Sequence, residues 1–383
     1  MKTGNSKFLK EYNRSLILSL IRKGGGVSCA ELSRLTGLRQ KSVYEICAGL
    51  IQEEYIYESA IGESGGGRKP AILSLKPDSY FSIGIDIDVG FIRSVLMDTT
   101  GRVVRESAIN ADIGSYGEYL TQIADIINGL IRQNGVKKDR LLGVGVSVPG
   151  FIDANTMRIV MAPNLGFEDR DLINDLKAIL PVEIYMENEA MASTVSEKWL
   201  GECTEDENFI CINIKSGIGA GIYTLNRPYR GVKGSAGEIG HIPLDHNGPL
   251  CGCKNRGCLE TLASTNAIIR NAKKVFGDGI TIDELIRKAE AGDKTAWNLF
   301  ENAAEYLGTA IVFLVNIFNP SKIILGKDFT KYGRFELSAI TDKVRSCALK
   351  PNSKSVAIKS SSLGERASVL GAAILPQKII FKE

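Results

Sequence analysis

Histidine is nearly absent from this chain: 383 residues hold two, His241 and His246. Long apolar runs are missing too. The longest uncharged apolar stretch, residues 306–321, is interrupted by Asn316, Asn319 and Pro320 and is too short to span a bilayer. The first residues, Met1 to Glu11, are polar and mixed in charge, without the apolar core of a secretory leader. These absences argue against a membrane partner and lead to the expectation of a cytoplasmic protein. Disulfides do not persist there, so cysteines that cluster read first as metal ligands.

A strong charge of one sign is also lacking, at +3 overall. Its distribution is uneven. Residues 1–75 hold 11 Lys/Arg against 7 Asp/Glu, whereas the remainder hold 36 against 37. The excess therefore sits in the N-terminal fifth, where a basic end can serve nucleic acid. The length exceeds one ordinary domain and suits two or three.

At the N-terminus, Leu16, Ile17, Leu20 and Ile21 share one helical face, and Gly24-Gly25-Gly26 ends that helix. Ser28 and Glu31 form an S-x-x-E capping box for a second helix running through Thr36. Gly37 supplies a tight turn. A third helix follows, with Val43, Ile46, Cys47, Leu50 and Ile51 on its inner face. Two short helices around a Thr-Gly turn, packed on another, make a helix-turn-helix.

The outer face of the third helix presents Gln40, Lys41, Ser42, Tyr44 and Glu45, with its first turn placed for base contacts in a major groove. Arg39 and Lys41 are candidates for phosphate contacts. Arg39 stands where Ser or Asn would cap the helix best. Residues 55–58 and 71–75 read as the two strands of a wing. The glycine-rich loop between them carries Arg68 and Lys69, suited to a minor groove. A plain linker is the competing reading of that loop.

From residue 80 the texture changes to strands alternating with helices. Residues 81–87, 91–97 and 103–107 suggest an antiparallel meander, followed by a helix near 119–133 and a buried strand at 141–148. Another strand (182–187) and helix (189–200) precede a second meander beginning at Phe209. Two such halves suggest a duplicated α/β fold. The segment 282–375 is mostly helical, with strands at 322–325 and 355–359.

The most specific chemical signal is G-E-I-G-H-I-P-L at 237–244, followed by C-G-C-K-N-R-G-C at 251–258. His241, Cys251, Cys253 and Cys258 offer one imidazole and three thiolates, the donor set of a closed, structural zinc site. His246 is the rival fourth ligand. The expected cofactor is therefore structural Zn2+, bracing the loop that carries Glu238 and His241.

These motifs, continuing into Gly257-Cys258-Leu259-Glu260, resemble the ROK family of repressors and sugar kinases. At the front, Asn13-Arg14-Ser15, Leu35-Thr36-Gly37-Leu38 and Gly66-Gly67-Arg68-Lys69-Pro70 are similar to the DNA-binding end of its repressor branch. The resemblance implies an α/β architecture: a winged helix-turn-helix over residues 1–76, then a two-lobe, actin-like ATPase (sugar-kinase-like) fold over 77–383. It carries sugar contacts onto Asn188, Glu238, His241 and Glu260. Such carboxylates and amides pair with vicinal hydroxyls and reject analogues lacking them.

In kinases of the family an Asp acts as general base at the position of Glu189. The longer Glu moves the oxygen by about an ångström, a displacement that can cost ~10²-fold in rate. Glu189 is therefore kept as a sugar-binding residue and no catalytic residue is assigned. Family kinases carry Asp-x-Gly-Gly-Thr in the first phosphate loop, where this chain has Asp86-Ile87-Asp88-Val89-Gly90. Asp88 and Val89 both oppose a phosphate. The second loop, residues 216–221, remains glycine-rich, and Lys327 replaces a usual glycine. The reading is a sugar- or sugar-phosphate-responsive transcription regulator without enzyme activity, acting on an operator in double-stranded DNA as a homodimer or homotetramer. The alternative is an ATP-dependent sugar kinase with an appended DNA-binding domain.

Overall fold

The computed structural model describes residues 6–61, 70–111 and 114–381. The chain forms two compact units. One comprises the residues through Val146, Leu172–Met186 and the stretch from Ala372 onward; the other comprises Ser147–Asp171 and Glu187–Gly371.

The first unit begins with helix α1 (Ser6–Gly24), which buries Ile17, Leu18 and Ile21. Strand β1 (Val27–Ser28) leads into α2 (Cys29–Thr36). Ser28 caps α2 by accepting from the Glu31 amide at 3.2 Å, while the Glu31 carboxylate lies 3.6 Å from Arg34. Gly37 closes the helix with φ +70°, a backbone glycine adopts without strain, and its N–H reaches the Ser33 carbonyl. Helix α3 (Gln40–Gln52) buries Val43, Cys47 and Leu50. Ile46 is only half-buried and Ile51 is exposed, so the inner face is narrower than the sequence pattern indicates.

The wing strands, β2 (Ile56–Ile61) and β3 (Ala71–Leu75), pair antiparallel, with a bulge between Glu58 and Ala60. β1 adds to the other edge of β3, which ties the wing to the start of α2. The sequence reading missed β1 because two residues carry no periodicity.

The meander follows as β4 (Phe81–Asp88), β5 (Gly90–Asp98) and β6 (Val103–Ala111), then α4 (Tyr116–Gln133) and β7 (Leu141–Val148). Ser115 and Glu118 form a complete capping box on α4. With β11 (Ile184–Asn188) these strands make a five-stranded sheet in the order β11-β7-β4-β5-β6. Side chains link the wing region to the sheet that follows it. Lys76 pairs with Glu54 at 2.6 Å, and Arg140, just before β7, pairs with the same Glu54.

The second unit opens with a small antiparallel sheet of β8 (Phe151–Ile152), β9 (Ile159–Ala162) and β10 (Phe167–Arg170), none of which the sequence reading separated. Helix α5 (Leu172–Ile179), in the first unit, follows in sequence, and α6 (Glu189–Trp199) follows β11. The second meander is β12 (Phe209–Ile214), β13 (Ile218–Thr224) and β14 (Arg227–Tyr229). It joins β15 (Lys322–Lys327) and β16 (Ala357–Ser360) in the order β14-β13-β12-β15-β16, with β12, β15 and β16 parallel. Two sheets with one strand order confirm the duplication.

Residues 306–318 of the uncharged run form the C-terminal half of a 25-residue helix, Lys294–Phe318, where Leu307, Ile311, Leu314 and Val315 pack inward while Phe313 and Ile317 are exposed. No described helix is long and apolar enough to cross a membrane.

Candidate functional site

The candidate site residues fall into three groups. On the DNA-facing candidate surface, Arg39, Gln40, Lys41, Ser42 and Tyr44 are all exposed at the first turns of α3. Arg39 occupies the N-cap without making a side-chain cap hydrogen bond, so its guanidinium is not committed to the helix end. Arg68 and Lys69 lie outside the described residues.

The second group sits around the β12–β13 hairpin. Asn188 ends β11 and caps α6: its Oδ1 accepts from the amides of Ala190 and Met191 at 2.9 and 3.4 Å, and its Nδ2 donates to the Gly150 carbonyl at 2.8 Å. The side chain is thus fixed by backbone on two sides, with one N–H to spare. Just before it, Glu187 is gripped by both guanidinium nitrogens of Arg230, one at 2.8 Å. Glu189 opens α6 and keeps about a fifth of its side chain exposed.

Two of the glycines of residues 216–221 have close neighbours. A Cβ on Gly221 would lie 1.9 Å from the Thr194 hydroxyl of α6, and one on Gly217 would lie 2.6 Å from a Glu260 carboxylate oxygen. The hairpin is bare so that α6 can pack on one part of it and Glu260 can reach over another. The loop carrying Glu238 and His241 is seated on the same hairpin, where the Ala220 amide donates to the Gly237 carbonyl at 2.9 Å. Glu238 is open to solvent. Nevertheless, the protein crowding its carboxyl raises the pKa, His241 opposes that rise and Glu260 adds to it.

The third group is the metal-site candidate. The ligand atoms of His241, Cys251, Cys253 and Cys258 all lie within 4.8 Å of one another. Cys253 and Cys258 sulfurs are 3.6 Å apart, and Cys251 sulfur is 3.6 Å from His241 Nδ1. A tetrahedron with metal–sulfur bonds of about 2.3 Å has edges of about 3.8 Å. The spacing therefore fits zinc. Burial pushes Cys258 up to about 12 and Cys251 upward, while the Asn255 amide holds Cys253 at about 7. Three thiolates in one place need a cation to coexist. Bridges between Pro243 and Cys258 and between Leu250 and Arg256 hold the knuckle together. His246 is exposed and stands outside the cluster.

In the first phosphate-loop position, the Val89 amide donates to the Asp88 carboxylate at 2.7 Å. Asp88 is almost fully buried, and Val89 is half exposed. A backbone N–H that could face a phosphate is thus already held by the chain's own anion. Sequence reading missed Arg230 and Ser368, the latter a hydrogen-bond partner of Lys327; neither lies in a motif, and only the tertiary structure brings them to the site.

The chain belongs to the ROK family, whose sequence model matches residues 82–379. The winged helix-turn-helix thus lies ahead of the matched region. The chain is 33% identical over 371 residues to the xylose repressor of Bacillus subtilis (strain 168), covering 97% of this chain and 96% of that protein. Among solved structures it is similar to a ROK family transcriptional regulator described as a homolog of the Escherichia coli Mlc protein, with a TM-score of 0.85, 24% identity and 97% of each chain covered. It also resembles a ROK family glucokinase from Streptomyces griseus, at TM-score 0.69 and 27% identity, over 78% of this chain and 99% of the kinase. The likeness to the regulator thus spans nearly the whole chain, and the likeness to the kinase about four-fifths of it.

Proposed function

We propose that this protein is a sugar-responsive, DNA-binding transcriptional repressor of carbohydrate-metabolism genes, acting in the cytoplasm and without kinase activity. The observation that carries the choice of regulator over kinase is the hydrogen bond from the Val89 amide to Asp88 in the first phosphate loop. It places a buried anion where a kinase needs donors for ATP.

In this reading residues 1–76 are the DNA-binding domain and 77–383 the effector-binding domain. Gln40, Lys41, Ser42 and Tyr44 approach base edges, Arg39 and Lys41 hold phosphates, and Arg68 and Lys69 serve the wing. Asn188, Glu189, Glu238, His241 and Glu260 bind the sugar hydroxyls. Zinc on His241, Cys251, Cys253 and Cys258 is structural: it holds charge and shape, and leaves the other imidazole nitrogen of His241 for a hydroxyl. The three carboxylates favour an uncharged sugar over a sugar phosphate, since a phosphate would meet like charge. By likeness to the xylose repressors, D-xylose is the first candidate. A homodimer or homotetramer would match a two-fold operator.

The test uses duplex DNA selected by the protein from a random pool. Fluorescence anisotropy is followed while D-xylose, D-glucose or N-acetylglucosamine is added. One of these sugars should release the DNA, and the same mixture with Mg-ATP should form no ADP. Sugar-dependent ADP formation would instead establish the kinase reading.

A further inference from the structure

Lys327 ends β15 in an unusual state. Its φ is +60°, a left-handed backbone that favours glycine, yet the residue is a lysine whose side chain is almost fully buried. Burying an ammonium is costly unless a counter-charge and hydrogen bonds offset it. Both are present. The Lys327 Nζ donates to the Ser368 hydroxyl at 2.7 Å and lies 3.7 Å from the Glu189 carboxylate.

The surroundings hold Glu189 from several sides. Asn213 pairs in register with Gly326 and donates through Nδ2 to the Glu189 carbonyl at 3.4 Å and to the Ser193 hydroxyl at 3.0 Å. The backbone of Glu189 is thereby fixed at the start of α6, and its carboxylate is met by a cation from β15. Asp328, the next carboxylate along the chain, is partnered by Lys331 at 3.6 Å. Glu189 is thus one carboxylate that meets the Lys327 ammonium, and Asn188, immediately before it, is the cap of the same helix.

We propose that Lys327 is a positioning residue for effector recognition: its buried ammonium fixes the Glu189 carboxylate as a charged, acceptor-only group aimed at a neutral polyhydroxyl ligand. The inference rests on the sugar-sensor reading above. An ammonium held by strained backbone and by Ser368 cannot follow the carboxylate outward, so Glu189 stays where the pair places it. The site then discriminates by the direction of ligand hydroxyl donors, because a fixed acceptor penalises any sugar that cannot donate along that line.

A double-mutant cycle on sugar affinity tests this. The full-length proteins are wild type, Lys327→Met, Glu189→Gln and the double variant. Calorimetry gives Kd for D-xylose, D-glucose and N-acetylglucosamine. Lys327→Met is expected to weaken the binding sugar by about tenfold in the Glu189 background and by little in the Glu189→Gln background. A lysine that serves only to hold the fold would lower the melting temperature and leave this coupling at zero. Should Lys327→Met not fold, Lys327→Gly carries the same test, because glycine suits φ +60° and removes the charge. Wild-type affinity in a folded Lys327 variant, or losses that simply add, overturns the proposal alone. Failure of wild type to bind any of these sugars overturns the sensor reading and the proposal together.

Discussion

Tyr55 and Tyr80 stack face to face, their ring centroids 4.0 Å apart and their planes 2° from parallel. Arg14 of α1 covers the Tyr55 ring at 5.2 Å and Arg140 covers Tyr80 at 4.8 Å. Burial pushes the Tyr55 phenol up to about 12. The stack joins the chain just after α3 to the start of β4. Glu53 and Glu54 reinforce it by pairing with Arg14 and Arg140.

Such a joint is a candidate carrier of the sugar signal. An aromatic pair adds roughly 0.5–1.5 kcal/mol beyond its buried area, and each cation–π contact about 0.5–1 kcal/mol. Tyr80→Leu and Arg140→Ala should each lower thermal stability modestly. They should bind DNA and sugar separately with near wild-type affinity, yet release DNA less completely when sugar is added. Anisotropy titrations with and without saturating sugar measure that loss of coupling. Unchanged release would mean the stack is only structural.

Zinc should be present at one ion per chain by elemental analysis. Cys258→Ser or prolonged chelation should remove it, lower the melting temperature and weaken sugar binding about tenfold or more, because the loop of Glu238 loses its brace. DNA binding without sugar should persist. Tight sugar binding by the zinc-free protein would separate the knuckle from the site.

Contacts on α3 should divide by type. Arg39→Ala should weaken binding to all duplexes alike and reduce the salt slope of log K by about 1. Gln40→Ala should cost about 1–3 kcal/mol on the selected duplex and little on random DNA. Competition binding at three salt concentrations distinguishes the two.

Glu336 supplies a pH test. Its carboxyl is buried, one oxygen has no hydrogen-bond partner, and burial raises its pKa well above the usual range. The folded state thus holds a proton that the unfolded chain releases at the ordinary glutamate pKa. Stability from this group is complete below that value and is lost as pH rises toward the folded pKa. Glu336→Gln should melt at a higher temperature than wild type at pH 8, and the gap should shrink toward pH 5. A gap independent of pH would show that Glu336 is charged in the folded state.

Much of this was legible in the sequence. Helix starts with side-chain caps and the alternation of the meanders are local signals, and the Cys-x-Cys-x4-Cys spacing is a chemical one. What stayed hidden was non-local. Strand β1 is too short to show a pattern, and the sheet of β8 to β10 lies in a stretch of mixed polarity. Arg230 meets Glu187 across 43 positions of chain. The glycine-rich stretch 216–221 reads as a phosphate loop or a turn; its start is the turn between β12 and β13, and only the fold shows that Gly221 also answers to the bulk of Thr194. Lys327 was noticed as a departure, but only its φ and its partners give that departure a role.

The bare hairpin also constrains the history of this receptor. A Cβ added at Gly221 would collide with the Ala190 carbonyl at 2.5 Å and with Thr194, backbone and side chain of the packed helix α6. That end of the hairpin cannot be a source of new ligand preference. In the proposed cleft, drift from one sugar to another must therefore arise elsewhere, in the first turn of α6 or in the loop of Glu238 and His241, while Gly221 is inherited unchanged.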